Sequence, residues 1–104
     1  MNSPTGFDPV IHAPNRLQIC ALLSAVDSAE FATVRDAVGV SDSVLSKQVR
    51  TLQEAGYISV RKAPLGSRTH TWLALTKSGR SAFDAHVAAL QQILATKTPE
   101  STPA

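Results

Sequence analysis

The sequence predicts a mainly α domain carrying one β-hairpin, in the order helix, helix, helix, hairpin, helix. Three observations carry that prediction. Apolar residues recur at steps of three and four through most of the chain. One stretch, "YISVRKAPLGSRTHTWLAL", alternates at period two on either side of a Pro–Leu–Gly break. The second and third helical patterns are joined by only "GVS", which forces a sharp corner between them.

Residues 1–9 hold Pro, Gly and Ser without periodicity and are expected to form a flexible arm. The folded domain is expected over residues 10–95. In "NRLQICALLSAV", Leu17, Cys20 and Ala21, and again Ile19, Leu22, Leu23 and Val26, recur at helical spacing, so the first helix begins after Pro14, stops near Asp27 and is buried over a wide arc. "SAEFATVRDAVG" is a short second helix. Ser28 is the expected cap, Gly39 the stop, and Phe31, Val34 and Val38 the inner stripe. "SDSVLSKQVRTLQEAG" is the third, capped by Ser41, ended by Gly56, with Leu45, Val49 and Leu52 inward. Ile58 and Val60 share one face of the first strand, and Thr71, Leu73 and Leu75 one face of the second, with "APLGS" as the turn. Thr76 caps the last helix, in which Phe83, Val87, Leu90 and Leu94 form a seam at steps of four, three and four. Residues 96–104 are polar and aperiodic and are expected to be disordered.

At 104 residues this is one domain. A content of 43% hydrophobic and 17% charged residues fits neither a disordered chain nor a membrane span. The start, "MNSPTGFDPV", has neither a basic nor an apolar region of the kind a signal peptide needs. The single cysteine, Cys20, forms no internal disulfide and suits a reducing cytoplasm, where the protein is expected to work. Net charge is only +2, but its distribution is uneven. Residues 1–42 set Arg16 and Arg35 against five acids. Residues 43–80 set seven cations (Lys47, Arg50, Arg61, Lys62, Arg68, Lys77 and Arg80) against Glu54 alone. Such a basic centre suits a polyanion, or else a solvated surface whose charges scatter.

If Leu45, Val49 and Leu52 face the core, then Ser43, Ser46, Lys47 and Arg50 share the opposite face of the third helix, flanked by Gln48. Lys and Arg donate to guanine edges, Gln pairs with adenine, and Ser reaches bases or phosphates, so this face suits a major groove. A solvated helix face would mix signs in i, i+4 pairs, and this one carries no acid. The hairpin that follows brings Lys62 and Arg68 near its tip, where a β-ribbon can lie along phosphates or enter a minor groove. His70 lies beside it. A phosphate-cradling loop would need a Gly-rich turn opening a helix, and "APLGS" leads to a strand. Leu65 alone makes no membrane-seeking tip.

The segments "RLQICALL", "SDSVLSKQVRTLQEAGYISVRK" and "LALTKSGRSAF", with the basic hairpin between the last two, resemble a small bacterial winged-helix transcriptional regulator of the MarR/ArsR-like superfamily. The resemblance spans residues 10–95. It implies a winged helix-turn-helix with a C-terminal dimerisation helix, a third helix in the major groove and a wing on the backbone or in the minor groove. By position it implies Ser43, Ser46, Lys47, Gln48 and Arg50 as recognition-helix residues and Lys62, Arg68 and Thr69 as wing residues. It places Phe83, Val87, Leu90 and Leu94 in a dimer interface. Larger MarR relatives have longer terminal helices that frame an effector pocket, and this chain has little with which to build one. Metal-sensing ArsR relatives carry clustered cysteines, and this chain has one.

No metal or cofactor is expected. His12, His70 and His86 fall on three different elements without i, i+4 spacing, and His86 reads as a surface or interface residue. Cys20 sits among Leu and Ile as a small buried hydrophobe. Arg16 could touch phosphate or make an internal ion pair. No paired carboxylates or nucleophile–base set supports an enzyme. The expected function is a sequence-specific double-stranded DNA-binding transcriptional regulator, a homodimeric repressor. The alternatives are a winged helix used for protein interaction or RNA binding, and a sensor with a small-molecule effector at the dimer seam.

Overall fold

The computed structural model describes residues 5–97. The four expected helices are present as α2 (Pro14–Ser24), α3 (Phe31–Val38), α4 (Asp42–Glu54) and α5 (Lys77–Lys97), and the hairpin as β2 (Ile58–Leu65) and β3 (Arg68–Leu75). Two short elements are additional: α1 (Pro9–His12), ahead of α2, and β1 (Ala29–Glu30), ahead of α3. The third helix of the sequence is therefore α4.

One apolar core joins every layer. Ile11, Ile19, Leu23, Val34, Leu45, Leu52 and Leu73 are fully buried, with Val49, Ile58 and Leu75 nearly so. Cys20 is buried among them, as expected. Burial pushes its thiol up to about 11, so no thiolate forms near neutrality. Gly39, in the left-handed conformation, closes α3 by donating its N–H to the Arg35 carbonyl (2.9 Å). Two residues later the Ser41 hydroxyl accepts the Val44 N–H at 3.2 Å and starts α4. Arg35 also crosses the corner to Asp42, 2.8 Å away, and so ties the two helices together.

The sheet has the order β1-β3-β2 and is antiparallel throughout. Ser28 does not cap α3. The chain instead extends through Ala29 and Glu30, which pair with Leu73 and Trp72, and the Glu30 carboxylate is bound by His70 rather than by the helix end. The hairpin turn is shorter than "APLGS". Pairing runs out to Leu65 and Arg68, leaving Gly66 and Ser67 as a two-residue loop. Gly66, at φ +66°, supplies the positive angle such a loop needs. Pro64 enters the strand because β2 is an edge, where its missing N–H costs no ladder bond.

Thr76 caps α5 as expected, accepting the Gly79 N–H at 2.9 Å. It also donates twice to the preceding corner: its N–H to the Tyr57 carbonyl (2.9 Å) and its hydroxyl to the Gly56 carbonyl (2.7 Å). At Gly79 a Cβ would collide with the Tyr57 carbonyl, which accounts for glycine in "LTKSGR". The stripe of α5 that faces its own domain is Gly79, Ala82, His86 and Ala89, one residue behind the expected seam and so rotated from it by about 100°. Phe83, the first seam residue, is half-buried and packs against the domain core.

The arm expected over residues 1–9 is not loose where it is described. The Asp8 carboxylate caps α1 through Val10 N–H (2.9 Å) and Ile11 N–H (3.3 Å), and its other oxygen accepts the Tyr57 hydroxyl (2.5 Å). Phe7 packs on the His12 and His86 rings at 4.8 and 4.9 Å. Residues 1–4 lie outside the described residues. At the other end α5 continues through Lys97, into the segment expected to be disordered, and residues 98–104 lie outside the described residues.

His86 is a second correction: it is wholly buried, not at the surface. Its Nδ1 accepts the Asp8 N–H (2.9 Å), which leaves the neutral ring's proton on Nε2, facing His12 Nδ1 at 3.1 Å. Burial, then the neighbouring His12, hold its pKa below the usual histidine value. The unfolded chain therefore takes up a proton that the folded ring resists. Stability is full above the unfolded value of about 6.5 and falls as pH drops below it toward the folded value. We expect the melting temperature to fall between pH 7.5 and pH 5.5, and His86→Gln to flatten that dependence. Parallel pH profiles in the two proteins would contradict the assignment.

Candidate nucleic-acid interface

The face of α4 opposite Leu45, Val49 and Leu52 is open. Ser43, Ser46, Lys47 and Arg50 are all exposed there, as the helical spacing requires. Gln48 is placed differently. It is half-buried, and its side-chain oxygen accepts from Arg16 at 2.8 Å. Arg16 also donates to the Val10 carbonyl at 2.5 Å. The guanidinium thus makes internal hydrogen bonds, joining α1 and α2 to α4, and it holds Gln48 against the domain rather than toward a groove.

The hairpin stands beside α4. Period-two alternation puts Lys62 on the same face as Ile58 and Val60, the side turned toward α4, and Arg61 on the other. Arg50 and Lys62 consequently line one open cleft of about 420 Å³ between helix and hairpin. Ser46, Gln53 and Thr71 supply its polar wall, and Phe31, Val49, Val60 and Leu73 its apolar floor. A smaller hollow beside it is lined by Ser46, Lys47 and Arg50. Arg68 and Thr69 are exposed near the tip, opposite Leu65 and Pro64 in the ladder. Arg68 lies three residues beyond Thr71, about 10 Å farther along the strand, and is not part of the cleft.

Sequence reasoning missed Gln53 and Thr71. Gln53 was findable, since it follows Ser46 by seven residues and Arg50 by three and so repeats their stripe. Thr71 enters as the partner of Lys62, and that register depends on a turn two residues long.

The cations of the chain sort into two groups. Arg16 is held as described, Arg35 is paired with Asp36 (2.9 Å) and Asp42, and Arg80 donates to the carbonyls of Ser24 (3.3 Å) and Val26 (2.7 Å) at the end of α2. Both carboxylates hold the Arg35 pKa above its ordinary value. Among the described residues, the side chains of Lys47, Arg50, Arg61, Lys62, Arg68 and Lys77 make no hydrogen bond or ion pair with protein groups; the first five lie on α4 or the hairpin, and Lys77 opens α5. No carboxylate lines the cleft.

A family model described as a winged helix DNA-binding domain matches residues 15–94. An uncharacterized protein of Methanocaldococcus jannaschii, MJ0432, is 27% identical over 78 residues, covering 75% of this chain and 85% of that protein. Among solved structures, a transcriptional regulator homologue from Pyrococcus horikoshii superposes with a TM-score of 0.79 at 20% identity, over 84% of this chain and 86% of that one. The PcaV transcriptional regulator of Streptomyces coelicolor, solved with its natural ligand, gives 0.74 at 19% identity, over 92% of this chain and 67% of that one. These likenesses establish the fold.

Lys47 is exposed on α4 outside the cleft, and its side chain has no protein partner. Lys47→Ala should cost about 1–3 kcal/mol of discrimination per half-site if it donates to guanine, while thermal stability stays nearly unchanged, because the position is exposed. Binding of a selected and a scrambled duplex, compared with melting curves, checks this. Equal weakening on both duplexes would make Lys47 a phosphate contact.

Proposed function

We propose, from the premise that this chain belongs to the family of winged helix DNA-binding domains, that it is a sequence-specific double-stranded DNA-binding transcriptional regulator acting as a homodimer. One observation carries the reading: of the six described cations without a side-chain partner, five (Lys47, Arg50, Arg61, Lys62 and Arg68) gather on α4 and the wing, while Arg16, Arg35 and Arg80 are held by internal bonds. In this proposal α4 enters the major groove, Ser43, Ser46 and Lys47 meet base edges or nearby phosphates, and the wing grips backbone through Lys62, Arg68 and Thr69. Gln48 takes part only if Arg16 releases it. The regulator represses by occupying promoter DNA, and it works in the cytoplasm. It is a binding protein rather than an enzyme, and no small-molecule effector is part of the proposal.

The dimer reading rests on α5. Val87 and Leu90 are half-exposed and Leu94 is 63% exposed, and every residue from 91 to 95 is exposed. An apolar stripe left in water on a projecting helix is what a second helix covers. Two copies would place their α4 helices in half-sites one helical turn apart, about 34 Å.

Selection of bound duplexes from a random pool, at stated salt, tests the function. The expected product is an inverted repeat. A pool that stays random would overturn the assignment in favour of a protein or RNA partner for the same face. Leu90→Asp should yield monomers, because an unpaired charge would be buried in the interface. Sedimentation showing the unmodified protein already monomeric at micromolar concentration would refute the dimer.

A further inference from the structure

We infer that the cleft between α4 and the wing is a single backbone-phosphate site, in which Arg50 and Lys62 together hold one phosphodiester group of duplex DNA. This rests on the proposed DNA-binding function and divides labour within it: Arg50 grips, whereas its neighbour Lys47 is left to read.

The two cations reach the cleft from independent elements, a helix and a strand, and neither has a protein partner. Between them stand three neutral side chains able to donate hydrogen bonds, those of Ser46, Gln53 and Thr71. The acid of this region, Glu54, follows Gln53 on α4 but does not line the cleft. Two positive charges without a counter-ion repel each other, and a monoanion between them relieves that repulsion. The apolar floor excludes water from one side and so strengthens the attraction. On the helix, Ser46, Arg50 and Gln53 fall on one stripe directed toward the wing, and Lys47 lies about 60° around from Arg50 on the side away from it. A strand backbone can cross this open cleft. Base edges lie deeper in the groove and meet the crest of α4, where Ser43 and Lys47 stand. Charge thus selects a phosphodiester, and the position of the cleft beside the recognition face selects one belonging to the bound duplex.

The test is a double-mutant cycle of Arg50→Ala and Lys62→Ala, with affinities for a selected and a scrambled duplex measured across a salt series. Each single change should weaken both duplexes by the same factor, and the double change should cost clearly less than the product of the two. The slope of log affinity against log salt should flatten by ~0.9 per subunit in the double variant, one phosphate's worth, rather than the roughly 1.8 of two independent contacts. Arg50→Lys should keep most of the affinity, since a phosphate accepts a point charge where a guanine edge favours the guanidinium fork. Melting curves should match the unmodified protein. Multiplicative losses, a slope change near 1.8, or relaxed preference at one base pair in Arg50→Ala would overturn the shared site while leaving DNA binding intact. Inorganic phosphate at millimolar concentration displacing DNA from the unmodified protein, but not from the double variant's residual binding, would make the cleft a free-anion site instead. Failure of the unmodified protein to bind any duplex would overturn the parent function, and this site with it.

Discussion

The rotation of α4 about its own axis is the constraint on which the interface depends. Leu45 and Leu52 are fully buried and Val49 is 6% exposed. Burying each of these side chains is worth about 1.5–3 kcal/mol. At 3.6 residues per turn, three anchors at steps of four and three leave the helix one rotation. Turning α4 by a single residue would carry Ser46, Arg50 and Gln53 into the core, at the cost of an unpaired buried charge. The outward set of Ser43, Ser46, Lys47 and Arg50 therefore follows from core packing. The Ser41 cap fixes where the helix begins, and the Arg35–Asp42 pair fixes its angle to α3.

A second joint lies at the other end of α4. Tyr57 follows the helix directly. Its carbonyl receives the N–H of Thr76, its backbone is approached closely by Gly79, and its hydroxyl donates to Asp8, which raises the Tyr57 pKa. Asp8 in turn donates its N–H to His86 on α5. The end of α4, the start of the last helix and the N-terminal cap thus share one bonded cluster. On the proposed dimer, the spacing between two recognition helices would be set through this cluster, because α5 carries the seam and Tyr57 carries α4.

Much of this was legible in the sequence for physical reasons. Leu45, Val49 and Leu52 announced themselves because large apolar side chains at helical spacing have one use in a small domain. Gly39, Ser41 and Thr76 were readable as caps because their roles are local. What escaped was non-local. The α5 stripe facing the domain is built of Gly79, Ala82, His86 and Ala89, and small residues with a histidine make no apolar signal, so only the larger seam beside it stands out in the sequence, and the packing of its Phe83 against the domain core does not. Ser28 had the right chemistry for a cap, but pairing of Ala29 and Glu30 with β3 prevailed, and a two-residue strand has no period to detect. The bond that holds Gln48 is invisible to spacing, because its partner Arg16 lies 32 positions away in sequence.

The charge count shows how a correct total can rest on mixed parts. Five of the seven cations over residues 43–80 stand on α4 or the hairpin, whereas Lys77 opens α5 and Arg80 serves the end of α2. The more telling property is where the acids go. Asp42 stands at the first turn of α4, beside Ser43, where a free carboxylate would repel an approaching backbone. It is bound by Arg35. Glu30 is bound by His70 on the wing, and Asp8 by Tyr57 and the α1 backbone. These partners hold the three carboxylates within the fold, whereas the five unpartnered cations on α4 and the wing share their segment with one exposed acid, Glu54. Composition gave this chain a net charge of only +2, and folding gathers five cations on α4 and the wing while Asp42, Glu30 and Asp8 are engaged at the joints that hold the fold together.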